Sequence, residues 1–139
     1  MKLATPLWLT GLTWLLAAVF FATALGKALD VAGFARILGT YELFPDMLLI
    51  PLAPGIIALE FLIAVGLMRE ETRRLAAMGA MWLAAGNGLL LSFTLWRGIA
   101  WQNCGCFGVF LARPLTLLSP LEDVVLLLMA WFVWRASRP

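Results

Sequence analysis

The chain's two cysteines, Cys104 and Cys106, stand two residues apart in the stretch Trp101-Gln102-Asn103-Cys104-Gly105-Cys106-Phe107-Gly108. None of the 139 residues is a histidine, so these thiols cannot form a Cys–His dyad of the protease type. A tetrahedral zinc site takes four ligands and an iron–sulfur cluster generally takes four cysteines, and one chain supplies neither from this pair. Three chemistries are left: thiol–disulfide exchange, a two-coordinate soft-metal site, or an inert pair of small apolar residues that shapes a turn.

A disulfide across one intervening residue closes a small ring and needs a Cα separation at the short end of the permitted range, about 4.4–6.8 Å. Gly105 lets the backbone bend that far, because glycine has no Cβ and accepts positive φ. Such a bond removes little chain entropy, since stabilisation grows with the logarithm of the closed loop. Holding the fold together is therefore a poor explanation for it. Strained and exposed disulfides are the readily reduced ones, which favours exchange. Exchange also needs a thiolate, and Arg97 and Arg113 flank the turn in sequence, where their charge would favour one.

The elements that must position this turn are apolar. Hydrophobic residues make up 63% of the chain and charged residues 13%, against roughly 45–50% and 25% in soluble domains. Leu3 to Gly26 and Leu75 to Trp96 contain no charge, and Met47 to Met68 contains only Glu60. Each run reaches the roughly 20 residues that cross a bilayer. A fourth run, Pro114 to Trp134, is interrupted by Glu122 and Asp123. It reads as a shorter helix with Ser119 as cap, Pro120 in the first turn and Glu122 completing a capping box. The expected fold is all-α, a transmembrane four-helix bundle spanning about 6–26, 48–68, 75–96 and 119–135, within one integral membrane domain of residues 1–139. A competing reading makes residues 1–24 a cleaved signal peptide, with Ala22-Thr23-Ala24 at the cleavage site. The uncharged run is longer than the roughly 7–15 residues such a peptide uses, so it is expected to remain as the first span.

With the amino terminus in the cytoplasm, Lys2, Arg69, Arg73, Arg74, Arg135 and Arg138 fall inside, and Lys27, Arg36, Arg97 and Arg113 fall outside. This excess favours both termini inside and turns the cysteines toward an oxidising compartment. Net charge is +2 and the basic residues are scattered, which excludes a nucleic-acid surface.

Lys27 to Asp46, between the first two spans, is longer than a simple turn and carries Phe34, Tyr41, Phe44 and Pro45, which suits a short interfacial helix or loop. Arg69 to Arg74 reads as a tight charged turn joining an antiparallel pair. Small residues at four-residue spacing, Ala76, Ala80, Ala84 and Gly88 in the third span and Ala18, Ala22 and Gly26 in the first, predict close helix contacts. Glu60 is an ionisable group inside a span, hence a candidate functional carboxylate, and Lys27 is a candidate partner. With Pro54 in the first turn of its helix, Glu60 is expected about 9 Å from the helix start. Asn87 is expected to hydrogen-bond between helices.

Taken together, Gly26-Lys27, Phe34, Tyr41-Glu42-Leu43-Phe44-Pro45, Glu60, Arg97-Gly98 and Cys104-Gly105-Cys106-Phe107-Gly108 resemble the methylamine-utilisation MauE family within the wider DoxX-like membrane proteins. The resemblance runs from about Phe20 to Leu128, with Phe44 standing where a leucine is expected. It implies a bacterial inner-membrane bundle, similar in plan to the quinone-linked disulfide-forming enzymes. It also implies a role beside a periplasmic thioredoxin-like protein in maturing a disulfide-containing client enzyme such as methylamine dehydrogenase. On that resemblance Cys104 and Cys106 are the redox pair, with Lys27, Tyr41, Glu60, Arg97 and Gly105 in support. No cofactor is evident in the sequence, and a quinone is compatible with it. The alternatives are a non-enzymatic assembly factor for the same maturation and a soft-metal carrier.

Overall fold

The structure, a computed structural model, describes residues 5–99 and 103–138. Lys2, Trp101 and Gln102, which entered the sequence reading, lie outside the described residues. Five helices follow in order: α1 (Leu7–Ala28), α2 (Val31–Thr40), α3 (Asp46–Met68), α4 (Arg73–Trp96) and α5 (Leu118–Ala136). The described residues are all-helical, and α1, α3 and α4 are long and apolar enough to cross a membrane. Helix α5 is 19 residues long and carries Glu122 and Asp123 near its start.

Helix ends follow local chemistry. Asp30 caps α2, its Oδ1 accepting from the Gly33 amide at 2.8 Å. Helix α4 ends in a Schellman motif: Gly98 takes φ +77°, its amide donates to Leu95 O at 2.9 Å, and the Ile99 amide donates to Thr94 O at 3.2 Å. The turn between α3 and α4 closes on itself, with Thr72 Oγ1 donating to Gly66 O (2.9 Å) and Arg73 Nε to Leu67 O (3.1 Å). The capping box expected at α5 does not form. The helix starts a residue before Ser119, whose hydroxyl accepts from the Thr116 amide, and Glu122 turns outward to Arg113. A charge-assisted bond to a guanidinium is stronger than a reach back to one backbone amide, so Arg113 wins the carboxylate.

Helix α3 begins earlier than expected, at Asp46, which places Pro51 and Pro54 inside it. Glu60 therefore lies 14 residues into the helix, about 21 Å from its start. The first half of α3 is covered by α2, through Phe34 and Leu38 against Leu49, Ala53 and Ile57. The second half packs on α1. Helix α4 lies chiefly along α5 and also meets α3.

The small residues of α4 serve close packing: Ala76, Ala80 and Ala84 are buried, and a Cβ on Gly66 of α3 would fall 2.8 Å from the Ala76 Cβ. Of the stripe on α1 only Gly26 makes a close approach, and it meets Phe107 and not a helix. Ala18 and Ala22 face outward, and the buried face is Leu9, Thr13, Leu16, Ala17, Phe20, Ala24 and Lys27. Burying Lys27 against α3 fixes the rotation of α1, and Ala22, five residues away at about 100° each, is carried to the outer surface. The densest apolar core sits at the end remote from the cysteines, where Leu9, Leu16, Leu67, Ala77, Ala80 and Val133 interlock from four helices.

Candidate functional site

Cys104 and Cys106 lie in the loop between α4 and α5, and that loop is held by three separate devices. Asn103 clamps it from within: its Oδ1 accepts from the Gly105 amide at 2.9 Å and its Nδ2 donates to Gly108 O at 3.1 Å. The Cys104 amide donates to Arg113 O at 2.8 Å, tying the outgoing strand to the returning one. Tyr41, 2% exposed, donates from its hydroxyl to Cys104 O at 2.5 Å. Burial and the neighbouring sulfurs push the Tyr41 pKa up from its ordinary value, so the phenol stays a donor.

Two glycines let the loop sit directly on its neighbours. Gly105 takes φ +77°, and a Cβ there would fall 2.7 Å from Ile37 Cγ2 of α2. Gly108 takes φ +80°, and its Cβ would collide with the Gly26 carbonyl and lie 2.8 Å from the Lys27 amide. Gly26 in turn abuts the Phe107 carbonyl, so Gly26-Lys27 of α1 and Phe107-Gly108 of the loop meet backbone to backbone.

Both thiols are free, and their Sγ atoms lie 2.9 Å apart. This is less than about 1 Å beyond a covalent S–S bond. Cys104 is buried and Cys106 half-buried. The hydrogen bond from the Cys106 thiol holds the Cys104 thiol down to about 6, against burial, which pushes it up; the Arg113 charge adds to the lowering. Cys106 is pushed up, because it keeps the shared proton beside a sulfur that has lost its own. The two sulfurs thus share one proton as a pair, with Cys104 the more acidic of the two.

Of the two flanking arginines, Arg113 acts on the sulfur as its sequence position suggests, and Arg97 does not. Arg97 reaches Tyr41, its Nη1 donating to Tyr41 O at 2.8 Å, and its Nη2 meets Glu42 Oε2 at 3.4 Å. Glu42 is the one described non-glycine residue with positive φ, +54°, so Arg97 clasps a left-handed turn that seats the Tyr41 phenol under the cysteines. Arg113 is bidentate to Glu122, with Nη1 donating to Oε2 at 2.9 Å and Nη2 to Oε1.

Below the loop, Lys27 Nζ and Glu60 Oε1 form an ion pair at 2.6 Å, with side chains 8% and 7% exposed. Lys27 also stands 5.2 Å from the centre of the Phe34 ring. Across from them, Asn87 Nδ2 donates to Asp123 Oδ2 at 2.8 Å, joining α4 to α5. Asp123 is buried, and in the sequence it reads only as an interruption of the fourth apolar run; an acid inside such a run is the signal that marks it. The thiols, both polar pairs and Tyr41 all line one cavity of about 890 Å³, together with Arg113, Glu122, Ser119 and Thr23, and its remaining walls are aliphatic and aromatic.

Comparison with known proteins gives the family. Residues 4–136 match the family model described as "Methylamine utilisation protein MauE". The chain is 30% identical over 128 residues to the methylamine utilization protein MauE of Paracoccus denitrificans, an alignment covering 92% of this chain and 69% of that one. No solved structure matches. The chain belongs to the MauE family.

Proposed function

We propose that this MauE-family protein is a membrane thiol–disulfide exchange protein whose Cys104–Cys106 pair oxidises a thioredoxin-like partner. That partner in turn serves the maturation of a disulfide-containing enzyme of the methylamine dehydrogenase system. Helix α5 is a fourth span completing the bundle. Both termini are cytoplasmic, and the Cys-Gly-Cys turn faces the periplasm of a bacterial inner membrane. The observation that carries this reading is the sulfur pair itself: two free thiols 2.9 Å apart, one with its pKa drawn down to about 6.

In the exchange step a thiolate of the reduced partner attacks one sulfur of the Cys104–Cys106 disulfide, and the other sulfur leaves as thiolate. The lowered pKa of Cys104 makes it the better leaving group, so Cys106 is the sulfur attacked. The partner's second thiolate then attacks the mixed disulfide and releases Cys106. The partner ends as a disulfide and this chain as a dithiol, two electrons having moved between them. Asn103, Tyr41 and Gly105 position the pair, with Arg97 acting through Tyr41, while Lys27 and Glu60 lie beneath it.

The test is to trap the mixed disulfide. A periplasmic thioredoxin-like protein with a single active-site cysteine is co-expressed with the Cys104→Ser variant, and separately with the double Cys104→Ser, Cys106→Ser variant. An adduct released by reductant from the first and absent from the second is expected. Normal client maturation with the double variant would instead make the protein a non-enzymatic assembly factor.

A further inference from the structure

The exchange step leaves this chain reduced, and the pair must pass two electrons onward before it can act again. The cavity beneath it has the features of a place to do so. Its volume of about 890 Å³ falls in the range of small-molecule sites, roughly 300–1,000 Å³. Leu15, Trp82, Leu89 and Val125 line it and are each more than half exposed, so it opens on the apolar flank of the molecule. Only its cysteine end is polar.

At that end one group is unsatisfied. Glu60 Oε1 is taken by Lys27, but Oε2 is buried without a hydrogen-bond partner, on a side chain 7% exposed. Thr23, which lines the same cavity, donates its hydroxyl to Phe20 O. A buried carboxylate oxygen left unpaired costs several times an ordinary hydrogen bond, so Oε2 marks where a donor belongs. Lys27 beside it can donate to a carbonyl oxygen, and Asp123 faces the same space.

A ligand matching this end must be apolar enough to enter from the flank. It must carry an oxygen that accepts from Lys27, present O–H donors to Glu60 once reduced, and take two electrons together with two protons. Resting on the exchange reading above, we infer that the cavity binds a lipid-soluble quinone, its head group against Lys27 and Glu60, as the oxidant that restores the Cys104–Cys106 disulfide. The residues present fit such a group. The balance is complete: the thiolate and the one remaining S–H of the pair give way to one S–S bond, and both electrons, the shared proton and one proton returned from water end on the two quinone oxygens as quinol.

Decylubiquinone and the purified full chain in nanodiscs test this. Quenching of tryptophan fluorescence should saturate at one quinone per chain, through Trp82 in the cavity wall. It should persist in the double Cys104→Ser, Cys106→Ser variant. At Gly86, another lining residue, an added Cβ would meet nothing within 4 Å, so Gly86→Phe adds a ring at the cavity wall with no clash at its Cβ. This variant should weaken quenching at least tenfold while its disulfide still exchanges with reduced thioredoxin. Anaerobic mixing of reduced protein with decylubiquinone should form one quinol per two thiols lost. Exchange with thioredoxin alongside non-saturable quenching that Gly86→Phe leaves unchanged would overturn the quinone inference alone. Saturable quenching with no thioredoxin exchange would instead overturn the exchange reading on which it rests.

Discussion

The two ends of this molecule are built on opposite rules. At the end remote from the cysteines, α1, α3, α4 and α5 converge on leucines, alanines and a valine with almost no polar group among them. At the cysteine end the same helices part around a cavity, and what is buried there is Lys27, Glu60, Asp123, Tyr41 and Cys104, with Cys106 half-buried beside it. Close packing of small residues specifies the first end, and hydrogen bonds and charge pairs specify the second. The difference teaches that stability and chemistry are separable here: the packed end can hold the helices while the open end keeps groups that would be costly in a core.

Breaking the open end at its sulfurs has the largest effect on function and little on the fold. Cys104→Ser or Cys106→Ser is expected to abolish turnover in thioredoxin oxidation, while thermal stability changes by less than about 1 kcal/mol, because a one-residue ring constrains the unfolded chain so little. Removing one member of the buried ion pair has the next largest effect. Lys27→Met strands the Glu60 carboxylate and should cost roughly 3–5 kcal/mol in detergent unfolding, whereas the double Lys27→Met, Glu60→Leu variant should recover most of it.

Overpacking the closed end sharpens the contrast. Ala80→Leu, at a fully buried position, should cost about 1–3 kcal/mol and leave the alkylation profile of the cysteines unchanged. Tyr41→Phe should cost about 1 kcal/mol by removing the hydroxyl from Cys104 O. The smallest change is one of titration. A thiolate reacts and a thiol does not, so iodoacetamide labelling of the reduced protein should rise with pH through a midpoint near the Cys104 value of about 6 and flatten above it. Cys106→Ala removes the donor that lowers this value, and the midpoint should move upward toward that of a free cysteine.

Much of the scaffold was legible because apolar runs of span length admit few other structures. Helices α1, α3 and α4 fall on the three uncharged or nearly uncharged runs, and Asn87 does bond between helices. Glu60 stands out in sequence as a charge within a span, and Lys27 as a cation at the end of one; their pairing needed the third dimension. The partner of Asn87 was not legible, because an acid interrupting an apolar run marks Asp123 without saying which helix its face of α5 meets. Nor was the rotation of α1, since Ala18, Ala22 and Gly26 have the spacing of a contact face, and the burial of Lys27 overrode it. The role of Arg97 was hidden for a related reason. Nearness in sequence to Cys104 suggested the sulfur, but its guanidinium folds back 56 residues to the Tyr41 carbonyl.

The most direct test of the exchange account is the accessibility of Cys104 and Cys106 in intact membranes, using a membrane-impermeant thiol reagent added from the periplasmic side before and after mild reduction. The account predicts no labelling at first and labelling of the pair once a gentle reductant has opened the disulfide. Free labelling without reduction, or none after it, would contradict an outward-facing, readily reduced disulfide and with it the exchange function.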